Sequence, residues 1–263
     1  MADNQLQELI NTLFSMYHSI FPEVIKIPVS ITFTADLNKT HAELRPDRAD
    51  SILEEGLQSN YNGRMVVPES IDDPIHILLN VRKIEEFTND GSMTWIGTIG
   101  HEYTHAIDFY QMARLEKLDS YSPLEETSQY MMFQQWTEYH ARKYGYRFLR
   151  KYFEVAGIIL QGDEQIKYIM ETEAPAQTRR FNREYNRGTP NERLYLTMQY
   201  LGRFSVWIDL FPEHFSEEQL LEYCPGTYWM MDLLQFLRKH ESLKEIYGHF
   251  DELQDVLSEN WIF

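Results

Sequence analysis

Two histidines spaced four apart, with a glutamate directly after the first, constrain this chain of 263 residues more than any other feature: His101-Glu102-Tyr103-Thr104-His105. On an α-helix, side chains at i and i+4 lie on one face, one turn apart. The flanks favour that helix. Trp95, Ile96, Ile99, Ala106, Phe109 and Tyr110 supply apolar positions around the pattern, and Asn89-Asp90-Gly91-Ser92 reads as a loop ending in a helix cap. The expectation is a helix over about residues 93–115.

The elements around it follow from periodicity. Leu6, Leu9, Ile10, Leu13, Tyr17 and Ile20 fall at helical spacing and predict an amphipathic helix, broken by Pro22 and Pro28. Val29, Ile31 and Phe33 alternate with polar residues, as a half-buried strand requires. The polar stretch from Asp36 to Asp50 reads as loop or irregular strand. Residues 64–67 and 75–81 read as further strands, separated by a turn at Asp72-Asp73-Pro74. After the motif, Ser122-Pro123 opens a long helical region, about 124–153, that carries Tyr130, Phe133, Trp136, Tyr139 or His140, Tyr144 and Phe148. Helices are then expected near 164–172, 190–209, 216–238 and 241–257, with Cys224-Pro225-Gly226 able to break the third. The predicted fold class is α+β, predominantly helical. A strand-containing region, 1–157, holds the motif, and a helical region, 158–263, follows it or continues the same domain.

Charge and cysteine content exclude several classes. The formal net charge is −17, the wrong sign for a phosphate-binding surface, so no nucleic-acid partner is expected. No run approaches the ~18 apolar residues of a membrane span, so no membrane partner is expected either. Met1-Ala2-Asp3-Asn4-Gln5 has neither a basic nor an apolar segment of a secretory signal, and Cys224 is the only cysteine. Both point to a cytoplasmic, reducing location. Cys224 itself is expected to be a small core residue.

The motif has a definite chemistry. Catalytic zinc takes three protein ligands in a roughly tetrahedral site and leaves one position open. His101 and His105 provide two ligands, and Glu102 lies where it can act as general base on water and then return the proton to a leaving amine. The third ligand has to come from elsewhere. A same-helix extension is disfavoured, because the positions for a glycine turn and a third histidine hold Asp108 and Gln111. The next helical region offers Glu125, Glu126 and Glu138. The first two sit at its start, where acids complement the helix dipole. Glu138 is preferred: it lies within Trp136-Thr137-Glu138-Tyr139-His140-Ala141, and small Ala141 favours close helix packing. Asp108 shares a face with His105 and is a candidate to accept a hydrogen bond from a ligand imidazole. His140, Tyr144, His214 and Tyr228 are all conceivable oxyanion stabilisers, and nothing in the sequence selects one. His18, His41, His76, His240 and His249 are expected to be structural or exposed.

His101-Glu102-x-x-His105 followed by Glu138-x-x-Ala141 resembles the gluzincin class of zinc metallopeptidases, and within it the small ImmA/IrrE-type peptidases, over roughly residues 75–145. The resemblance implies a zincin-like fold with one Zn2+ per chain, held by His101, His105 and Glu138. It implies hydrolysis of peptide bonds in a protein or peptide substrate, with Glu102 as the catalytic residue. It also implies an edge strand at about 75–81 that pairs with extended substrate. Arg142 departs from the pattern, since many gluzincins place an acidic group near that position. The alternative reading is a non-catalytic or regulatory zinc-binding interaction module of a mobile-element or phage type.

Overall fold

The computed structural model describes residues 3–54, 61–89, 93–158, 162–224 and 227–260. The chain packs as two compact units. The first comprises Met1–Tyr121 with Phe148–Tyr152, and the second comprises Ser122–Arg147 with Phe153–Phe263. The architecture is α+β and predominantly helical, with one small three-stranded sheet.

In the first unit, α1 (Asp3–Ile20) leads into β1 (Val29–Thr34). Two short helices follow, α2 (Leu37–Leu44) and α3 (Ala49–Glu54), joined by a 3-10 turn at Pro46–Arg48. Then come β2 (Gly63–Val66), β3 (Ile75–Asn80), α4 (Val81–Asn89) and α5 (Trp95–Leu115). The strand order is β1-β3-β2. β3 pairs in parallel with β1, Ile77 opposite Ile31, and antiparallel with β2, Met65 opposite Ile77. The substrate-pairing edge strand expected at 75–81 is therefore the central strand: both of its ladders are filled by the chain itself. Its sequence carries the reason. Ile75, Ile77, Leu78 and Leu79 are all buried, a near-continuous apolar run of the kind found in strands covered on both faces. Asn80 ends β3 and starts α4, its Oδ1 accepting from the backbone N–H groups of Arg82 (3.1 Å) and Lys83 (3.4 Å).

The stretch 36–50 is mostly helical, not loop. Asp36 caps α2 by accepting from the Lys39 N–H at 3.0 Å, and Leu37 buries against Val66 and Leu78. Only Leu37 and Ala42 of α2 are buried, so the helix shows too few apolar positions to stand out in sequence. Arg45 then turns the chain, donating from Nε and Nη2 to the two carboxylate oxygens of Asp47 at 2.9 and 2.8 Å.

The regular elements among the second unit's described residues are all helical. It contains most of α6 (Tyr130–Val155), α7 (Gly162–Tyr168) running through a π-turn (Ile169–Glu173) into α8 (Ala174–Tyr185), and α9 (Pro190–Leu210). It ends in α10 (Leu220–Tyr223), α11 (Tyr228–Lys239), α12 (Leu243–Ile246) and α13 (Phe250–Asn260). The expected helix over 216–238 is two helices, and its suspected break at Pro225-Gly226 lies outside the described residues. α8 was not foreseen; Thr178 and Phe181, three apart, are its buried side. α9 begins with a reciprocal cap, the Thr189 hydroxyl and Glu192 carboxylate each satisfying the other residue's backbone N–H.

One close approach organises this unit. A Cβ on Gly202 would meet the Tyr139 carbonyl oxygen at 2.5 Å and the Lys143 nitrogen at 3.1 Å, so α9 crosses α6 backbone to backbone there. Around the crossing, buried Lys143 reaches Asp209 at 2.8 Å and also pairs with Glu241. Arg238 reaches Asp209 at 2.7 Å, Glu217 at 2.9 Å and the Ser205 hydroxyl at 3.0 Å. Burial pushes the Asp209 carboxyl up, but Lys143 and Arg238 outweigh it and hold the group below the usual carboxylate range. No helix among the described residues is long and apolar enough to cross a membrane.

Candidate metal centre

α5 is buried on every side from Ile99 to Asp108. His101, Glu102 and His105 are 7%, 8% and 7% exposed, although three polar side chains within one turn would ordinarily face water. The helix pitch delivers the pairing that the spacing predicts. The two imidazole Nε2 atoms stand 3.1 Å apart, with ring planes at 87°. Two nitrogens bonded to one zinc at ~2.0–2.1 Å in near-tetrahedral geometry are about 3.3 Å apart, so the pair is set for a shared cation.

The carboxylate of half-buried Glu138, on α6, completes a cluster: one ligand atom from each of His101, His105 and Glu138 lies within 4.8 Å of the other two. The group can therefore hold a metal ion, and two imidazoles with one carboxylate are donors that suit a borderline divalent cation.

Other side chains hold the cluster's members from outside. Thr104, fully buried beside them, donates its hydroxyl proton to the Gly100 carbonyl at 2.7 Å. The Tyr17 hydroxyl must then donate to Thr104 Oγ1, also at 2.7 Å, which ties α5 to α1. Tyr103 lies against Phe14 and Tyr17, and its hydroxyl meets His18 Nε2 at 2.7 Å. Burial pushes the Tyr103 phenol up to about 12. These two residues of the motif anchor the helix in the first unit's core. Asp108 is fully buried, which removes the surface-acid reading, because a carboxylate taken wholly out of water requires partners.

Glu138 is held by a residue that no sequence pattern marked. Gln199 of α9 donates from Nε2 to Glu138 Oε2 at 3.1 Å and to the Tyr195 hydroxyl at 2.6 Å. Its carbonyl oxygen accepts from Arg142 Nη2. A guanidinium only donates, so the amide oxygen must face Arg142, and the NH2 group is thereby aimed at the carboxylate. Arg142, the departure from the gluzincin pattern, thus acts on Glu138 through an intermediary amide. The available signal was Gly202. A glycine inside a predicted helix marks a close helix approach, and Gln199 precedes it by one turn on the same face.

The remaining candidates separate clearly. Glu125 and Glu126 lie in a 3-10 turn, Ser122–Glu126, outside the cluster. His140 is buried and stacks on Trp136 at 4.6 Å, with Tyr144 at 4.4 Å on the same helix. Tyr228 is 66% exposed, and His214 is half-buried near Asp163 and Lys167. His41 meets an Arg64 guanidinium nitrogen at 2.8 Å, and burial with that arginine lowers its imidazole to about 4. His76 pairs with Ser30, His240 with the Phe236 carbonyl and His249 with Glu252. Cys224 is buried, and burial raises its thiol to about 11, which leaves it a poor nucleophile. No family model matches the chain, and no curated protein or solved structure is significantly similar to it.

Proposed function

We propose that this protein is a cytoplasmic zinc-dependent metallopeptidase of gluzincin type, with a zincin-like catalytic region, that hydrolyses peptide bonds in a protein or peptide substrate. One observation carries the reading: the donor atoms of His101, His105 and Glu138 converge while Glu102 occupies the same buried helical turn. His101, His105 and Glu138 would hold the ion. When bound, zinc polarises a scissile carbonyl and lowers the pKa of an attacking water toward ~7. Glu102 would take a proton from an attacking water and deliver it to the leaving amine, so one carboxylate would serve both halves of the reaction. Gln199 keeps Glu138 oriented, and Thr104 with Tyr17 keeps α5 from rotating about its axis.

Metal analysis beside a protease assay on an unstructured protein tests this reading. Wild-type protein from zinc-supplemented expression is expected to carry one zinc per chain, and His101→Ala and Glu138→Ala to lose it. Glu102→Gln is expected to keep the zinc and lose activity by about 10²–10⁴-fold, the usual scale of general acid–base catalysis. Sub-stoichiometric zinc in the wild type would sink the proposal. Stoichiometric zinc with no cleavage that depends on Glu102 would favour the interaction module instead.

A further inference from the structure

The second unit contains a pocket whose charge opposes that of the chain. Three arginines from three helices face it: Arg142 of α6, Arg180 of α8 and Arg203 of α9. Glu184 is the one carboxylate among its lining residues, and it is already engaged, accepting from Arg180 Nε at 2.9 Å. In a protein of net charge −17, three guanidiniums around a single acid form a local excess of positive charge.

Arg203 shows the cost of that arrangement. Its guanidinium lies over the Tyr146 ring at 5.1 Å, and its Nε is buried with no hydrogen-bond partner among the described residues. Burial, and then repulsion from Arg142, lower its pKa to about 10, with Tyr146 and Glu173 acting in the opposite direction and Arg180 adding to the repulsion. The group remains charged at neutral pH. A guanidinium has donors and no acceptor, so only an acceptor can pair the buried Arg203 Nε.

We propose that Arg142, Arg180 and Arg203 form a binding site for a small molecule bearing a phosphate or carboxylate group. Planar guanidinium forks match either oxyanion through paired N–H···O bonds. Leu196, Phe181 and Tyr200 give the pocket a small apolar edge, the two rings stacked on each other at 4.6 Å. The long-range field of the acidic chain repels anions, so affinity arises from these short contacts and not from bulk attraction. The site stands independently of the peptidase reading. It is nonetheless joined to the candidate metal centre, since Arg142 bonds the same Gln199 amide that holds Glu138.

The test uses the full-length His101→Ala variant, so that no anion is captured by a bound metal. Inorganic phosphate and succinate are titrated separately by calorimetry, with chloride balancing ionic strength. Saturable binding of at least one probe is expected, with Kd at or below roughly 10 mM. Affinity should fall about ten-fold or more in the added Arg203→Gln variant and stay unchanged with exposed Arg187→Gln. A thermal melt checks each variant's fold. If Arg203→Gln fails to fold, Arg203→Lys keeps the charge, removes the fork, and should bind at least about three-fold more weakly. Phosphate binding without succinate binding assigns a phosphate ligand, and the converse assigns a carboxylate. No saturable binding of either, or equal binding by a folded Arg203 variant, overturns the proposal. Because the metal site is already disabled, neither result bears on zinc.

Discussion

The two helices that carry the candidate ligands reach their positions by different means. On α5, His101 and His105 face each other because helix pitch sets residues four apart on one face, and the core packing of Tyr103 and Thr104 only has to stop the helix turning. On α6, Glu138 has no partner ligand on its own helix. Its carboxylate is held by Gln199, whose amide is oriented by Arg142, and α9 lies near enough only because Gly202 has no side chain. The comparison teaches that two of the three candidate ligands are placed locally and robustly, while the third depends on a helix crossing. Substitutions at the two regions should therefore separate stability from metal affinity.

The largest effect is expected at the crossing. Gly202→Ala places a Cβ against a backbone carbonyl that cannot move aside, and should cost about 3 kcal/mol in urea unfolding, at the upper end for overpacking. Metal affinity should fall with it, because Gln199 moves with α9. Asp209→Asn comes next. It leaves Lys143 and Arg238 facing a neutral amide and should cost about 2–3 kcal/mol, less than a fully buried pair because Asp209 keeps some exposure. Since folding holds the Asp209 carboxyl below its unfolded value of ~3.9, its contribution is complete above that pH and disappears as pH falls through the folded value. Acid unfolding followed with and without the substitution should converge below that range. If the curves stay parallel, the charge network has been misread.

The next two changes sharpen the comparison directly. Gln199→Leu removes the donor to Glu138 and should weaken zinc binding about 10–100-fold in a chelator competition, with a much smaller change in stability. Thr104→Val on α5 should do the reverse: about 1 kcal/mol of stability is lost as the buried Tyr17 hydroxyl loses its acceptor, with metal affinity nearly unchanged. Equal effects of both on affinity would mean that α5 is no more self-sufficient than α6.

What could be read beforehand follows the same division. The motif helix, the strand at β1 and the long α9 are strongly periodic or capped, and each lies within a few residues of where periodicity places it. The helices α2 and α8 escaped because they bury two or three residues each and present polar faces otherwise. The burial of β3 on both faces is legible in its near-continuous apolar run, but strand order depends on partners distant in sequence. Arg142, a mismatch to a family pattern when read alone, makes sense only beside Gln199.

Local sequence determined that two imidazoles would share one helical face with a carboxylate between them, because backbone hydrogen bonding sets that pitch whatever the surroundings. Only the tertiary structure decided which later acid joins them, which amide orients it, and that three arginines gather in an acidic chain. Those outcomes depend on how closely helices far apart in sequence approach, and steric fit at single positions such as Gly202 controls that approach.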